Sequence, residues 1–540
     1  MKTTINKFIR TISNYLVVCC LFVLLFSADN SFGNALIVNN LTLDQANKTV
    51  TFSISWRNSW RTVNNPFNWD AAWVFVKFRQ CGAAPSTEWT HGLMSTTLGD
   101  HTFPANLEPT TSDGAGVGID GTPDNTGVML RRSATGVYPA VAATSVTLNV
   151  TNIPAVAAGI EYDFKIFGIE MVFVPTGAFN IGDGGAVPAY EFSPVVYITS
   201  ENAVTVTSAP VLTTTPTGGG VAACTNNPLQ IAALFPKGYN SFYCMKYEIT
   251  SEQFAEFLNT VTANAGTALF PGSFGTNRNS LNNLGTPPST YLSTRPNRAQ
   301  NYLLWRHLSS YLDWACLRPM SEMEYEKACR GQGPALDNEY AWGNTTLTPP
   351  TGGLVISTTI PNEDGSESAI GPAGINCNWN NTAIVGGDAG LGPLRVGIFA
   401  DVLDNTRMLS GSTFYGIMEM TGNVSEWVVP ATAYYNGICD LPDWTGGPLG
   451  VTPITFVRTW GDGYIDVNTG IHNVLGIPVN TGWPPGNLVY GACGTAHPNG
   501  CYIAHRGASW AHTTLLQVSD RSYVQTPASA ANWQGGRGVR

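Results

Sequence analysis

The sequence predicts an α+β protein in two parts: an N-terminal all-β sandwich and a larger, loop-rich mixed domain. Three observations carry this. Val50, Phe52, Ile54 and Trp56 alternate with Thr51, Ser53 and Ser55, the period of two that turns one face of a strand into a core. Capped helical periodicity is confined to a short region, from Thr250 to Gly331. Charged residues make up only 12% of the chain while glycine (57), proline (34) and tryptophan (15) are abundant, a composition of short strands and loops. At 540 residues the chain exceeds one ordinary core, so at least two domains are expected.

Residues 1–35 read as a secretory signal peptide. Lys2, Lys7 and Arg10 precede an apolar run from Tyr15 to Phe26, and small residues follow as far as Ala35. The run is too short to cross a bilayer comfortably, and no second one follows. The mature chain is therefore expected to be secreted, extracellular or at the cell surface, with the periplasm as the alternative, and without a membrane span. The full sequence's net charge of −10 argues against a nucleic-acid partner. Export permits disulfides, and Cys493 with Cys501 could close a short loop. No Cys-x-x-Cys or Cys/His zinc spacing occurs.

Residues 36–167 are assigned to the sandwich. Trp73 to Phe78 is a second apolar strand, and Val146, Leu148 and Val150 alternate again. Trp56, Trp60, Trp69 and Trp73 are read as core, with a carbohydrate platform as the alternative.

The second domain, residues 168–540, opens at Met171-Val-Phe-Val-Pro-Thr-Gly-Ala-Phe-Asn-Ile-Gly182. A Thr/Pro/Gly tract from Thr213 to Gly220 reads as an insertion. Phe242 to Thr250 is a strand leading into a helix, where Thr250 and Gln253 form a capping box and Phe254, Phe257, Leu258 and Val261 share a face. Residues 262–300 read as a long loop. Helices are expected over Trp305 to Cys316 and after Ser321, the latter capped by Ser321 and Glu324 and stopped at Gly331. His307 reads as a helix-surface residue.

The stretch Tyr415-Gly-Ile-Met-Glu-Met-Thr-Gly-Asn-Val-Ser-Glu-Trp427 places Glu419 and Glu426 on either side of a Gly422-Asn423 turn. Such a turn lets backbone carbonyls point the same way as the carboxylates. An oxygen-only cluster of that kind suits Ca²⁺. A tight turn carrying two solvated glutamates is the alternative.

This stretch resembles the signature of the formylglycine-generating enzyme, or sulfatase-modifying-factor, family, which runs Tyr-Gly-Leu-x-Asp-Met-x-Gly-Asn-Val-x-Glu-Trp. Met171 to Gly182 is similar to that family's first hairpin. Arg318-Pro-Met-Ser-Glu-Met-Glu-Tyr-Glu and Tyr340-Ala-Trp-Gly-Asn344 resemble two later motifs, so the likeness spans residues 168–540. It implies a C-type-lectin-like fold and two structural calcium sites. One would use Glu419, the carbonyls of Gly422 and Val424, and Glu426. The other would use Asn378, the Trp379 carbonyl, Asp388 and the Gly390 carbonyl.

The resemblance also implies an activity, and there the chain departs. Family enzymes oxidise a sulfatase cysteine to formylglycine with O₂ and a copper ion held by two thiolates that follow a Gly-Gly-Ser-Tyr/Trp strand. Here that strand is Arg506-Gly-Ala-Ser-Trp510, and no cysteine follows Cys501. Soft thiolates select Cu(I), and no neighbour replaces two of them. The family's terminal Cys falls on Gly538 and its partner position on Leu312. The partner expected for Cys329 falls near Val518. Iron-dependent relatives use a His-x₃-His pair, and the seven histidines here include none. Neither copper nor iron is expected.

What remains is a recognition surface for a protein or glycan ligand of unknown identity. Its candidate residues are Trp510, His512, Gln517, Asp520, Arg521 and Tyr523, the mixture of aromatic, amide and guanidinium groups common at interfaces. The sequence thus predicts a calcium-stabilised binding or scaffolding pseudoenzyme. Two alternatives are a family oxidoreductase with an altered mechanism and a lectin-like receptor with a variable C-terminal face.

Overall fold

The computed structural model describes most of residues 30–206 and 229–348, together with 355–356, 369–370, 376–380, 390–400, 406–431, 433–435, 438–440, 460–465, Trp483, 503–525 and 531–540. Nearly all of the expected signal peptide lies outside these residues, as do the Thr213–Gly220 tract and the Cys493–Cys501 pair. The structure is mixed α+β with several antiparallel sheets. No helix among the described residues is long and apolar enough to cross a membrane.

The first part of the chain supplies β1 (Leu36–Asp44), β2 (Thr49–Trp56), β3 (Asp70–Gln80), β4 (Val128–Arg132), β5 (Val141–Asn149) and β6 (Tyr162–Val174). An edge strand, Asn30–Phe32, then β1, β2 and β5 make one sheet. The other contains β6, β3 and β4 in that order, extended beyond β4 by Leu107–Thr110 and beyond β6 by β7 (Phe242–Met245). The alternation in β2 does what its period demands: Val50, Phe52, Ile54 and Trp56 are buried, packed with Ala72, Val74 and Val76 of β3. Trp60 and Trp73 are buried too, and Trp69 stacks on Phe173 with centroids 4.1 Å apart. These tryptophans are core.

Strand β6 joins the two parts. From Tyr162 to Val172 it pairs with β3, and from Met171 to Val174 it pairs with β7. The boundary expected between residues 167 and 168 therefore falls inside one unbroken strand. The packing is continuous as well. Phe167 stacks on Phe75 at 5.2 Å and meets the edge of Trp314 at 4.9 Å. The Trp73 indole donates to the Ala315 carbonyl at 2.9 Å, and the Arg540 guanidinium lies 3.9 Å from the centroid of the Trp73 ring.

Five helices follow among the described residues: α1 (Ser251–Leu258), α2 (Ala263–Leu269), α3 (Trp305–Trp314), α4 (Glu322–Arg330) and the short α5 (Arg407–Ser410). Both capping boxes form, Thr250 with Gln253 and Ser321 with Glu324. Gly331 ends α4 at a φ of 74°, where an added Cβ would lie 2.2 Å from Phe414.

Three expectations are corrected. Residues 262–300 are not one loop: Thr262 caps α2, and Leu281–Asn283 pairs with Tyr291–Ser293. The Asn/Thr/Gly content of this region hid a short helix that is held by its cap and by packing. Second, Met171 to Gly182 is not a hairpin, because Phe179–Ile181 pairs with Val196–Ile198 and leaves β6 to β3 and β7. Third, His307 is buried, and its Nδ1 accepts from the Leu304 N–H at 3.1 Å, satisfying an orphan donor of the first turn of α3.

Burial, reinforced by the Arg306 guanidinium, pushes the His307 imidazole down to about 3. Unfolded, the same ring takes a proton near pH 6.5. Its contribution to stability is thus complete above pH 6.5 and lost as the pH falls toward 3, at up to about 1.4 kcal/mol per pH unit. His307→Gln keeps an acceptor at the same place in the helix and removes the titration. Urea unfolding at pH 7 and pH 4.5 should show wild type losing more stability than H307Q, and parallel losses would refute this.

Candidate metal centre

The signature stretch leads into β8 (Ser425–Val428), which pairs antiparallel with β9 (Ile503–Arg506) and parallel with β10 (Gln534–Gly535). Glu426 stands opposite Arg506 and Trp427 opposite His505. Residues 415–427 and 506–521 therefore belong to one packed unit. The bend itself is as the sequence demands: Glu419, Gly422 and Asn423 all have positive φ, at 53°, 86° and 56°. A Cβ on Gly422 would lie 2.4 Å from Cys377 Sγ and 2.7 Å from the Asn378 carbonyl oxygen, so glycine is required for that approach.

Neither glutamate is solvated. Glu419 is 4% exposed and Glu426 is 1% exposed. Glu419 Oε1 accepts from the Gly397 N–H at 2.8 Å, and Glu426 Oε1 accepts from Arg537 Nε and Nη2 at 2.7 and 2.6 Å. The other oxygen of each, Oε2, is buried with no hydrogen-bond partner, as is Asn378 Oδ1. Burial pushes Glu419 up to about 7, against the pull of Arg537 and the Gly397 N–H. Glu426 is also raised by burial, with Arg537 opposing.

Buried oxygens without donors carry a desolvation cost that a hard cation removes. Glu419 Oε2 and Glu426 Oε2 at one expected site, and Asn378 Oδ1 at the other, are oxygen donors of the kind Ca²⁺ takes. No group of three or more His, Cys, Asp or Glu side chains able to hold a metal ion occurs among the described residues. The expected ligand sets contain at most two carboxylates each, the rest being carbonyl and amide oxygens. Trp379 is half-buried and Gly390 is exposed. Asp388 lies outside the described residues.

The sequence reading missed Glu248, which follows β7 and is fully buried. It accepts from the Val424 N–H at 2.9 Å and from Asn423 Nδ2. Burial, with Glu419 nearby, holds its carboxyl well above the ordinary range. The available signal was a lone carboxylate in the apolar run from Phe242 to Thr250.

The proposed ligand face is placed differently from what its composition suggested. Arg521 is 1% exposed: its Nε and Nη2 grip Glu322 at 2.8 and 2.7 Å and its guanidinium covers Phe192 at 4.0 Å. Trp510 and Asp520 are buried, and burial raises Asp520 to about 6. His512 is buried to 9% exposure. Its Nδ1 lies 2.7 Å from Ser509 Oγ, its ring meets the Trp533 edge at 4.9 Å, and burial pushes it down to about 4. Gln517 is half-buried, and the side chain of Tyr523 lies outside the described residues. Trp510, His512, Asp520 and Arg521 thus face the interior.

Arg521 belongs to a buried ion network on α4. Glu322, Glu326 and Arg330 are four residues apart and share a helix face. Arg506 bridges Glu322 and Glu326 at 3.2 and 3.0 Å, while Arg330 pairs with Glu326 at 2.9 Å. On another face Glu324 pairs with Arg318 at 2.6 Å. All are at most 3% exposed.

The cysteine departures are visible in the packing. A Cβ on Gly538 would lie 2.3 Å from Leu312, so the leucine fills space at the paired position. Cys329 and Val518 sit in one buried cluster. The Cys244, Cys316, Cys329 and Cys377 thiols are free and buried.

A model of the sulfatase-modifying factor enzyme 1-like domain matches residues 168–540, more than half of the chain. The chain belongs to this family. Two solved structures are similar to this chain at low identity. One is PvdO from Pseudomonas aeruginosa, at 14% identity and a TM-score of 0.31, covering 69% of this chain and 94% of that one. The other is Treponema denticola variable protein 1, at 13% identity and a TM-score of 0.27, covering 67% and 98%. A search of curated proteins finds no match.

Proposed function

We propose that this sulfatase-modifying-factor domain protein is an exported, non-catalytic binding or scaffolding module stabilised by calcium. The observation that supports it is the segment after β9. Where the family places its thiolate pair, this chain carries Ala511 to Arg521 without a cysteine, and Arg521 is spent on Glu322. The orphaned oxygens of Asn378, Glu419 and Glu426 support the calcium half of the reading. Because Trp510, Asp520 and Arg521 are buried, they would act as the floor under a binding surface. Direct contact would fall to residues around them, with Gln517 the most accessible of the described candidates.

Two measurements test this together. Millimolar Ca²⁺ should raise the melting temperature relative to EGTA, since an ion at 100 times its Kd and bound only by the folded state adds about 2.7 kcal/mol. Oxygen uptake on a Cys-x-Pro-x-Arg peptide with added copper should stay at background. Sustained turnover would overturn the non-catalytic reading, and an unmoved melting temperature would overturn the calcium reading.

A further inference from the structure

The segment between α1 and the end of α3 differs in charge from the rest of this acidic chain. From Phe257 to Leu312 it carries four arginines and no Asp, Glu or Lys, in a sequence of net charge −10. Three of those arginines, Arg278, Arg295 and Arg298, line one cleft of about 390 Å³, within the size range of small-molecule sites. No carboxylate occurs among the described residues of its lining, to which Phe274 and Leu391 add apolar surface, 46% and 38% exposed. None of the recognition candidates from Trp510 to Tyr523 is among those lining residues.

Backbone oxygens hold the guanidiniums in place. Arg278 Nε donates to the Pro393 carbonyl at 3.0 Å, Arg298 Nη1 to the Arg278 carbonyl at 2.7 Å, and Arg295 Nη1 to the Thr294 carbonyl at 2.7 Å. The wall carries strain as well: Asn277 and Arg278 are consecutive left-handed residues, with φ of 46° and 59°. Such strain persists where the surroundings over-determine it, as at ligand clamps. Here the Asn277 carbonyl accepts from Asn301 Nδ2 at 3.0 Å, and its Oδ1 accepts from the Tyr302 hydroxyl at 2.8 Å and Asn532 Nδ2 at 3.0 Å. Planar guanidiniums match two oxygens of a carboxylate, sulfate or phosphate at once, which an ammonium cannot do. We propose that this cleft binds an oxyanion carried on an apolar body, the arginines taking the charge and Phe274 and Leu391 covering the body. Gly390 also lines the cleft, and the proposal needs no calcium at its carbonyl.

Titration calorimetry of the full chain with phenyl phosphate at low salt tests this. Wild type should bind it saturably, and phenol should not bind. Phenyl sulfate and benzoate run alongside identify the preferred oxyanion, and saturable binding of any of the three supports the site. Arg295 is half-buried, so Arg295→Met should keep the fold while weakening the anion at least about tenfold, the loss of one charge-assisted contact. Phe274→Ala should weaken phenyl phosphate and leave inorganic phosphate unchanged. If R295M fails to fold, the F274A comparison decides, together with loss of binding in about 1 M sodium chloride, where the screening length is about 3 Å. Failure of all three anions to bind at millimolar concentration would overturn the proposal, as would equal binding of phenol or an unchanged affinity in folded R295M.

Discussion

Replacing Arg506 by methionine should cost about 3–5 kcal/mol, the penalty for stranding buried charges. Arg506 is 1% exposed. Its Nη2 holds Glu322 and Glu326, while its Nη1 donates to the Val518 and Asp520 carbonyls at 2.9 and 2.8 Å. Methionine fills similar volume but leaves two carbonyls unbonded, and only Arg521 and Arg330 then face the two glutamates. Set against a typical total stability of about 5–15 kcal/mol, the loss is large. Denaturant unfolding with tryptophan fluorescence checks it, with the exposed Arg57→Met as a control expected to stay within about 0.5 kcal/mol. A cost for R506M below about 1 kcal/mol would show that the network is dispensable.

The second large effect concerns the division of the chain. A fragment starting at residue 168, the natural cut suggested by the family match, should give no cooperative unfolding transition, or should aggregate. The cut severs β6 and removes β3, which pairs with Gly168–Val172 through Asp70–Val74. It also uncovers Trp314, Tyr311 and Ala315, which lie in one buried cluster with Trp73 and Phe75, and it strips the Arg540 guanidinium of the Ser112 hydroxyl, Asp120 and the Asp124 carbonyl. An exposed apolar sheet face and an open strand edge lead to aggregation. A soluble 168–540 fragment melting within a few degrees of the whole chain would refute this.

Much of the fold was legible because it rests on short-range rules. The period of two in β2 located a buried strand, and the Thr250–Gln253 and Ser321–Glu324 boxes located two helix starts within a residue. The Gly422-Asn423 bend was legible for the same reason, since few residues tolerate positive φ. The ion network was not. Arg506 and Glu326 are 180 residues apart in sequence, and nothing local distinguishes an arginine that faces a ligand from one that closes a buried pair. Arg521 was read as a recognition residue for this reason. Glu248 escaped notice similarly, because its partners Asn423 and Val424 lie 175 and 176 residues away. The continuity of β6 was hidden because its apolar run reads the same whether one domain or two share it.

The account stands or falls on whether this family scaffold kept its oxygen cradles while losing thiolate copper chemistry. Elemental analysis of the purified mature protein, dialysed against metal-free buffer at neutral pH and read by mass spectrometry for calcium, copper and iron together, tests that most directly. The account predicts close to two calcium ions per chain and only trace copper and iron. Stoichiometric copper with no retained calcium would contradict it.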